Sequence, residues 1–367
     1  MVSILINDFS RVPAPVRQQL LDAAAGVIQS GWFILGENVT AFEREWAAYC
    51  GTAHCVGVAN GMDALEIGLR CAGIGPGDEV ITTPLTAFAT VLAILRTGAQ
   101  PVLAEVDPAT GLLDPDSAAR CIGPRTRAIL LVHLYGQIRQ MGRWQELCRE
   151  RSLLLLEDAA QAHGARAGGI SAGSFGCWAG FSFYPTKNLG AIGDAGALCT
   201  NDAAVAAQAA QLRNYGQSDR YHHPLPGLNS RLDELHAAML RRLLEHLPAA
   251  TRRRQEIAAR YHAGVRNTEI TLLAAPEEFS SHVYHLFVVR TARRDALAAH
   301  LRTRGIQSLI HYPIGVHLQP PTRELRRDPA GLAVADEFSA TCLSIPCHPY
   351  LTDGEIEQVI DALNSFR

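Results

Sequence analysis

Between about Ala53 and Thr200 short apolar runs alternate with stretches whose apolar residues recur at helical spacing. The runs His54–Val58, Glu79–Thr83, Pro101–Ala104, Ala128–His133, Leu153–Glu157, Gly180–Tyr184 and Ala197–Thr200 read as strands. Met62–Cys71, Ala87–Thr97 and Met141–Arg151 read as helices between them, and Ala203–Ala210 has good helix composition. Strands this apolar, separated by helices, predict a mostly parallel α/β sheet covered on both faces, with ligands at the carboxyl ends of its strands. A helical stretch from about Asp233 to His262, interrupted near Pro248, leads out of this region. After it, His285–Val289 and Gln307–Ile310 read as strands, with helices at Arg294–Arg302 and Asp353–Ser365, the last capped by Asp353. The expected organisation is a large α/β domain over residues 1–248 and a small α+β domain over 249–367.

Composition narrows the class. The 367 residues are 48% hydrophobic and 19% charged, with a net charge of -3, which suits a sizeable core and gives no electrostatic footprint for nucleic acid. The runs Arg241-Arg242 and Arg252-Arg253-Arg254 lie in helical pattern and read as solvated helix faces. The first residues lack a basic start and reach Asp8 before any long apolar run, so no signal peptide is expected, nor any membrane span. Nine cysteines without a CxxC pair or a clustered His/Cys set predict reduced thiols in a cytoplasmic protein and no metal site. His222-His223 has no thiol nearby.

One segment carries distinctive chemistry. In Phe181-Ser-Phe-Tyr-Pro-Thr-Lys187-Asn-Leu-Gly190 a single lysine sits among small residues directly after a strand. Upstream, Leu153-Leu-Leu-Leu-Glu-Asp158 ends a buried run on an aspartate. A lysine whose neutral amine can condense with an aldehyde, and an acid that can pair with a pyridinium nitrogen, are what pyridoxal phosphate (PLP) chemistry requires. Taken singly, each has an ordinary explanation: Lys187 as a loop lysine, Asp158 as a strand-end cap. Gln161 and His163 follow on the next turn and could flank a ring, with His163 equally explicable as a core histidine.

Other segments fit without forcing the reading. Asn60-Gly61-Met62-Asp63 follows a strand and opens a helix, where backbone N–H groups can bind phosphate. Gly73-Ile-Gly-Pro-Gly77 precedes a strand and contains Pro76, so it is a turn. Phe88 could stack on a flat cofactor or belong to the core. Asn229 could cap the helix that begins a few residues later.

In this order and spacing, these motifs resemble the DegT/StrS-type sugar aminotransferases, PLP enzymes of fold type I that act on nucleotide-linked keto sugars. The similarity runs from Gly31-Trp-Phe-Ile-Leu-Gly36 through Asn60–Leu65, Val132-His-Leu-Tyr-Gly136, Glu157–Gly164, Phe181–Gly196 and Gly227–Glu234 to His311-Tyr-Pro. The resemblance implies a seven-stranded large domain and a homodimer with shared active sites. It implies that Lys187 holds PLP and moves protons, and that Asp158 binds the ring nitrogen. Phe88 would stack on the ring, Gln161 would contact its hydroxyl, and Gly61, Met62 and Ser182 would hold the phosphate. Asn229 would reach the neighbouring subunit's phosphate. Tyr184, Arg231, His311 and Tyr312 would face the substrate.

The family usually has threonine or serine where this chain has Met62. Lys187 counts against the dehydratase branch, which has histidine there. The block Phe183–Gly190, Asn214-Tyr215-Gly216 and Leu309–Pro313 look most like members that aminate a dTDP-linked 3-keto-6-deoxyhexose with L-glutamate as donor. A 4-keto sugar nucleotide or a keto cyclitol as acceptor, and a non-catalytic PLP-binding regulator, are the competing readings.

Overall fold

The computed structural model describes residues 4–367. In chain order its helices are α1 (Ala14–Ser30), α2 (Glu37–Cys50), α3 (Gly61–Cys71), α4 (Phe88–Arg96), α5 (Pro115–Cys121), α6 (Met141–Glu150), α7 (Ala203–Leu212), α8 (Glu234–Gly264), α9 (Arg294–Thr303), α10 (Ala333–Thr341) and α11 (Asp353–Asn364). The strands are β1 (His54–Val58), β2 (Glu79–Thr82), β3 (Gln100–Leu103), β4 (Thr126–Val132), β5 (Leu154–Asp158), β6 (Arg166–Ala167), β7 (Ile170–Ser171), β8 (Ala179–Ser182), β9 (Gly196–Thr200), β10 (Thr271–Leu272), β11 (Phe287–Arg290) and β12 (Cys342–Ile345).

Seven strands form one sheet in the order β1-β9-β8-β5-β4-β2-β3. Only β9 runs against its neighbours, pairing antiparallel with both β1 and β8. The other contacts are parallel. Every residue of β2 and β9 is buried, and the centre of β4 is continuous Ala128–Val132. Runs without alternation are the mark of strands covered on both faces. All seven sheet strands expected from the sequence are present, within one or two residues of their expected ends. The crossover from β5 to β8 carries no helix; it holds the short β6–β7 ribbon instead.

The second sheet is β10-β11-β12, antiparallel, and its core gathers Tyr261, Phe287, Val289, Leu301, Leu343 and Leu363. Here the sequence reading needs four corrections. The strand expected at His285–Val289 starts at Phe287, which leaves His285 in the approach segment. Gln307–Ile310 is not a strand of a sheet: it is held by single bridges, Ile306 to Ile4 and Leu309 to Ser344. α11 is capped by Thr352, not Asp353; the Thr352 hydroxyl accepts from Glu355 N while the Glu355 carboxylate accepts from Thr352 N. Finally, α8 is unbroken for 31 residues through Pro248. A mid-helix proline costs about 3 kcal/mol, but α8 packs along α1 and α2 and buries Leu240, Leu247, Ile257, Ala258 and Tyr261. That burial outweighs the lost backbone bond. The continuous helix passes straight across the expected boundary at residue 248.

The arginine runs also divide differently from the expectation. Arg242 and Arg253 form surface ion pairs with Glu245 and Glu256, but Arg254 is buried, at 6% exposure.

Candidate active site

Three chain segments meet at the carboxyl ends of the central strands. The first is the β1–α3 turn. Asn60 caps α3, its side chain accepting from Asp63 N at 2.9 Å. This leaves Gly61 N and Met62 N among the first-turn donors that no helical carbonyl can reach. A Cβ on Gly61 would lie 2.6 Å from the Ser182 Cβ, and one on Gly196 would lie 2.4 Å from the Asn60 carbonyl. Glycine at both positions therefore lets the turn close onto β8 and β9, with Ser182 against the helix N-terminus.

The second segment is the end of β5. Asp158, its last residue, is buried. One carboxylate oxygen accepts from Thr90 Oγ1 at 2.7 Å and the other from Ala160 N at 3.2 Å. Burial raises its pKa, while these two bonds and the charges of Lys187 and His133 pull it back down. No helix starts at Asp158, so the cap explanation does not apply.

The third is the loop after β8. Lys187 N donates to Tyr184 O at 2.8 Å, and the half-buried lysine lines the cleft beside Asp158. Burial lowers its pKa to about 8, against the opposing pull of Asp158. About a tenth of such amines is neutral at pH 7, which is the state a nucleophile or proton acceptor needs, against far less for an ordinary lysine.

These segments enclose a small cleft of about 100 Å³ lined by Gly61, Met62, Ala87, Asp158, Gln161 and Lys187. It opens into a space of about 450 Å³ that adds Tyr184, Asp194, His285, His311 and Tyr312. Gln161 is fixed at both ends: its Oε1 accepts from Tyr135 N at 2.6 Å and its Nε2 donates to the Tyr312 hydroxyl at 3.3 Å. The Tyr135 hydroxyl donates to His311 O at 2.7 Å. Burial, aided by the Lys187 charge, lowers the His311 pKa to about 4, and its Nδ1 pairs with Ser344 Oγ at 2.8 Å. Burial also pushes Tyr312 up to about 12. The open space is thus lined by hydrogen-bonding groups, the Asp194 carboxylate among them, around one amine.

Not every expected residue converges. Phe88, the first residue of α4, packs against the cluster of Leu85, Val91, Leu103 and Tyr135, and it is Ala87 that lines the cleft. His163 lies in the core, stacked on Phe181 and Phe183 with Trp46 at its edge, and burial lowers its pKa to about 3. Asn229 is exposed and bridges to Asn214; the cap of α8 is Asp233. Arg231 donates to Asn214 Oδ1 at 3.1 Å and lies over the Tyr215 ring, 5.2 Å from its centroid, outside the cleft.

Sequence reasoning missed three contributors. Thr90 holds Asp158. His285 lines the open space, with its Nδ1 buried and without a hydrogen-bond partner among the described residues. Glu157, fully buried beside Asp158, accepts from His133 Nε2 (2.8 Å) and from the N–H groups of Gly173, Phe175 and Gly176 (2.8 to 2.9 Å). Glu157 ties the β5 end to the following loop and so backs the position of Asp158. An acid inside an apolar strand was the available signal.

The model for the DegT/DnrJ/EryC1/StrS aminotransferase family matches residues 16–364. The chain belongs to this family. It is 46% identical over 344 residues to a dTDP-3-amino-3,4,6-trideoxy-alpha-D-glucose transaminase of Streptomyces venezuelae, covering 94% of this chain and 91% of the relative. Among solved structures, S. venezuelae DesV in complex with a ketimine intermediate superposes with a TM-score of 0.94 at 45% identity, over 99% of this chain and 97% of that one. NtdA from Bacillus subtilis with bound cofactor PMP gives a TM-score of 0.90 at 28% identity, over 99% and 85%.

The family member described here is a PLP-dependent aminotransferase of fold type I. Its residues fit the cofactor. The free N–H groups at the α3 N-terminus and Ser182 suit a phosphate, and the buried Asp158 suits a protonated ring nitrogen. Lys187 faces both.

Proposed function

We propose that this aminotransferase moves an amino group from L-glutamate to the keto carbon of a nucleotide-linked sugar, with a dTDP-linked 3-keto-6-deoxyhexose as the acceptor. The observation that carries the reading is the chain's one lysine, Lys187, sharing a cleft with the buried Asp158 below an open space lined by hydrogen-bonding groups. The name of the Streptomyces venezuelae transaminase supports a dTDP-sugar and amination at carbon 3.

PLP supplies an electron sink for the carbon that loses its proton. The chain's own residues do the rest. Gly61 N, Met62 N and Ser182 hold the phosphate, and Gln161 meets the ring hydroxyl. Asp158, kept in place by Thr90 and Ala160, holds the proton on the ring nitrogen. Lys187 would take the proton from the donor's α-carbon and return it two atoms away, and in the second half of the cycle would do the reverse at the sugar carbon. Its pKa of about 8 suits both directions near neutral pH.

His311 and Tyr312 line the sugar side with Tyr184, the most exposed of the three. Residues 1–248 carry the cofactor and 249–367 form the second wall. Asn229 and Arg231 serve at a homodimer interface, Asn229 toward the partner's phosphate and Arg231 toward a carboxylate or the nucleotide. Cytoplasmic location fits nine unpaired cysteines; among the described residues no helix is long and apolar enough to cross a membrane.

The test is a two-stage conversion. L-Glutamate should turn the PLP form of the purified protein into the amine form, and a dTDP-3-keto-6-deoxyhexose should return it. Return by a 4-keto sugar nucleotide or a keto cyclitol, and not by the 3-keto sugar, would replace the acceptor.

A further inference from the structure

Arg254 is the one member of its arginine run that points into the molecule. Its guanidinium makes two hydrogen bonds, both from Nη1, to Tyr284 O at 3.2 Å and Cys347 O at 2.9 Å. Neither partner is charged. Burial lowers its pKa, opposed among the described residues by the Cys347 thiol and the Tyr350 phenol. The carboxylates on this side, Asp8 and Glu355, both pair with Arg11. A buried guanidinium without a counter-ion is costly, and arginine stays charged in proteins. Its Nε and Nη2 donors, the edge that matches a carboxylate bidentately, have no partner among the described residues.

Arg254 lines a cavity of about 440 Å³ that also takes in Lys187, Asn188 and His348. Much of the remaining wall is apolar, including Val12, Leu243 and Leu247. His285 links the two cations: after burial, the charges of Lys187 and Arg254 are the next largest influences holding its pKa far down. An anion at Arg254 is therefore within reach of a small molecule whose other end is at Lys187.

We propose that Arg254 is the anchor for the side-chain carboxylate of the amino donor, and so selects a dicarboxylic amino acid. This rests on the aminotransferase reading above. A glutamate whose α-carbon is at Lys187 carries its second carboxylate two methylenes further on, and those methylenes suit the apolar wall. The phosphates of a sugar nucleotide are separated from the reacting carbon by the sugar ring, a longer span than the two methylenes of glutamate, although Arg17 and Asp8 also line this cavity.

The experiment uses the PLP-loaded protein and its Arg254→Gln and Arg254→Lys variants. Binding of glutarate, which has both carboxylates and no amine, is measured by calorimetry. Conversion of the cofactor to its amine form is measured with L-glutamate and with L-alanine. Glutarate should bind wild type and compete with glutamate. Arg254→Gln should weaken glutarate at least tenfold and lower the preference for glutamate over alanine by a similar factor, with Arg254→Lys intermediate. An unchanged preference, or glutarate binding equal in all three proteins, overturns the proposal. So does displacement of glutarate by dTDP together with equal glutamate affinity in wild type and variant, which would make Arg254 a phosphate contact. If Arg254→Gln does not fold, the wild-type competition decides: no competition by glutarate sinks the assignment. Failure of every amino acid to produce the amine form, with glutarate still bound at Arg254, would instead sink the aminotransfer reading.

Discussion

Thr90 Oγ1 donates a 2.7 Å hydrogen bond to Asp158 Oδ2, joining the first turn of α4 to the end of β5 across 68 residues of sequence. The bond offsets part of the burial penalty on the carboxylate. Hydrogen bonds to charged groups contribute about 1.5–3 kcal/mol. Thr90→Val should therefore raise the Asp158 pKa further and weaken PLP binding by about tenfold. Fluorescence titration of the cofactor-free variant with PLP checks this; unaltered affinity would show that Asp158 does not need the hydroxyl.

Lys187 makes stability depend on pH in a defined window. An unfolded lysine titrates near 10.4, and burial brings the folded value to about 8. Between these values the unfolded chain binds more protons, so stability of the cofactor-free protein rises with pH. Below about pH 8 the amine is charged in both states and the full burial penalty applies. Lys187→Met should lack the rise and be the more stable protein at pH 7. Melting temperatures of both proteins from pH 7 to 10 give the comparison; parallel curves would contradict the lowered pKa.

Gly61 leaves no room for a side chain, since a Cβ would meet the Ser182 Cβ at 2.6 Å. Gly61→Ala should cost about 1–3 kcal/mol of stability and push the α3 N-terminus away from Ser182, with loss of PLP affinity larger than the stability change. Denaturant unfolding and PLP titration measure the two effects separately. Equal affinity with and without the methyl would mean that the phosphate lies elsewhere.

Met62 offers phosphate only its backbone, and its side chain packs against the core cluster around α3. Met62→Thr supplies a hydroxyl at the helix N-terminus and should tighten PLP several-fold, at about 1 kcal/mol or more in lost packing. Looser PLP in the variant would assign Met62 a packing role that outweighs the added donor.

Glu157 accepts three backbone N–H groups and the His133 ring in a fully buried position. Glu157→Gln removes the charge and leaves the two groups that share one carboxylate oxygen facing an amide NH₂. The expected loss is about 3 kcal/mol or more, read by denaturant unfolding. A loss under half of that would mean that the loop 171–176 is held by other contacts.

The sheet and the Lys187–Asp158 pair were legible in the sequence because burial on both faces and cofactor chemistry each restrict the residues allowed. What stayed hidden depends on contacts far along the chain. Pro248 looked like a break because its cost is local, whereas the packing of α8 against α1 and α2 is not. Arg254 looked like its neighbours because nothing in Arg252-Arg253-Arg254 tells which one faces the small sheet. His163 was balanced between cleft and core, and three aromatic neighbours place it in the core.

The most direct test of the account is the absorption spectrum of the PLP-loaded protein through a full cycle, with Lys187→Ala alongside. The account predicts that L-glutamate converts wild type from the aldehyde form of the cofactor to the amine form, that a dTDP-3-keto-6-deoxyhexose converts it back, and that the variant completes no cycle. A wild-type protein that binds PLP but ignores every amino donor, or a Lys187→Ala variant that cycles at the wild-type rate, would contradict it.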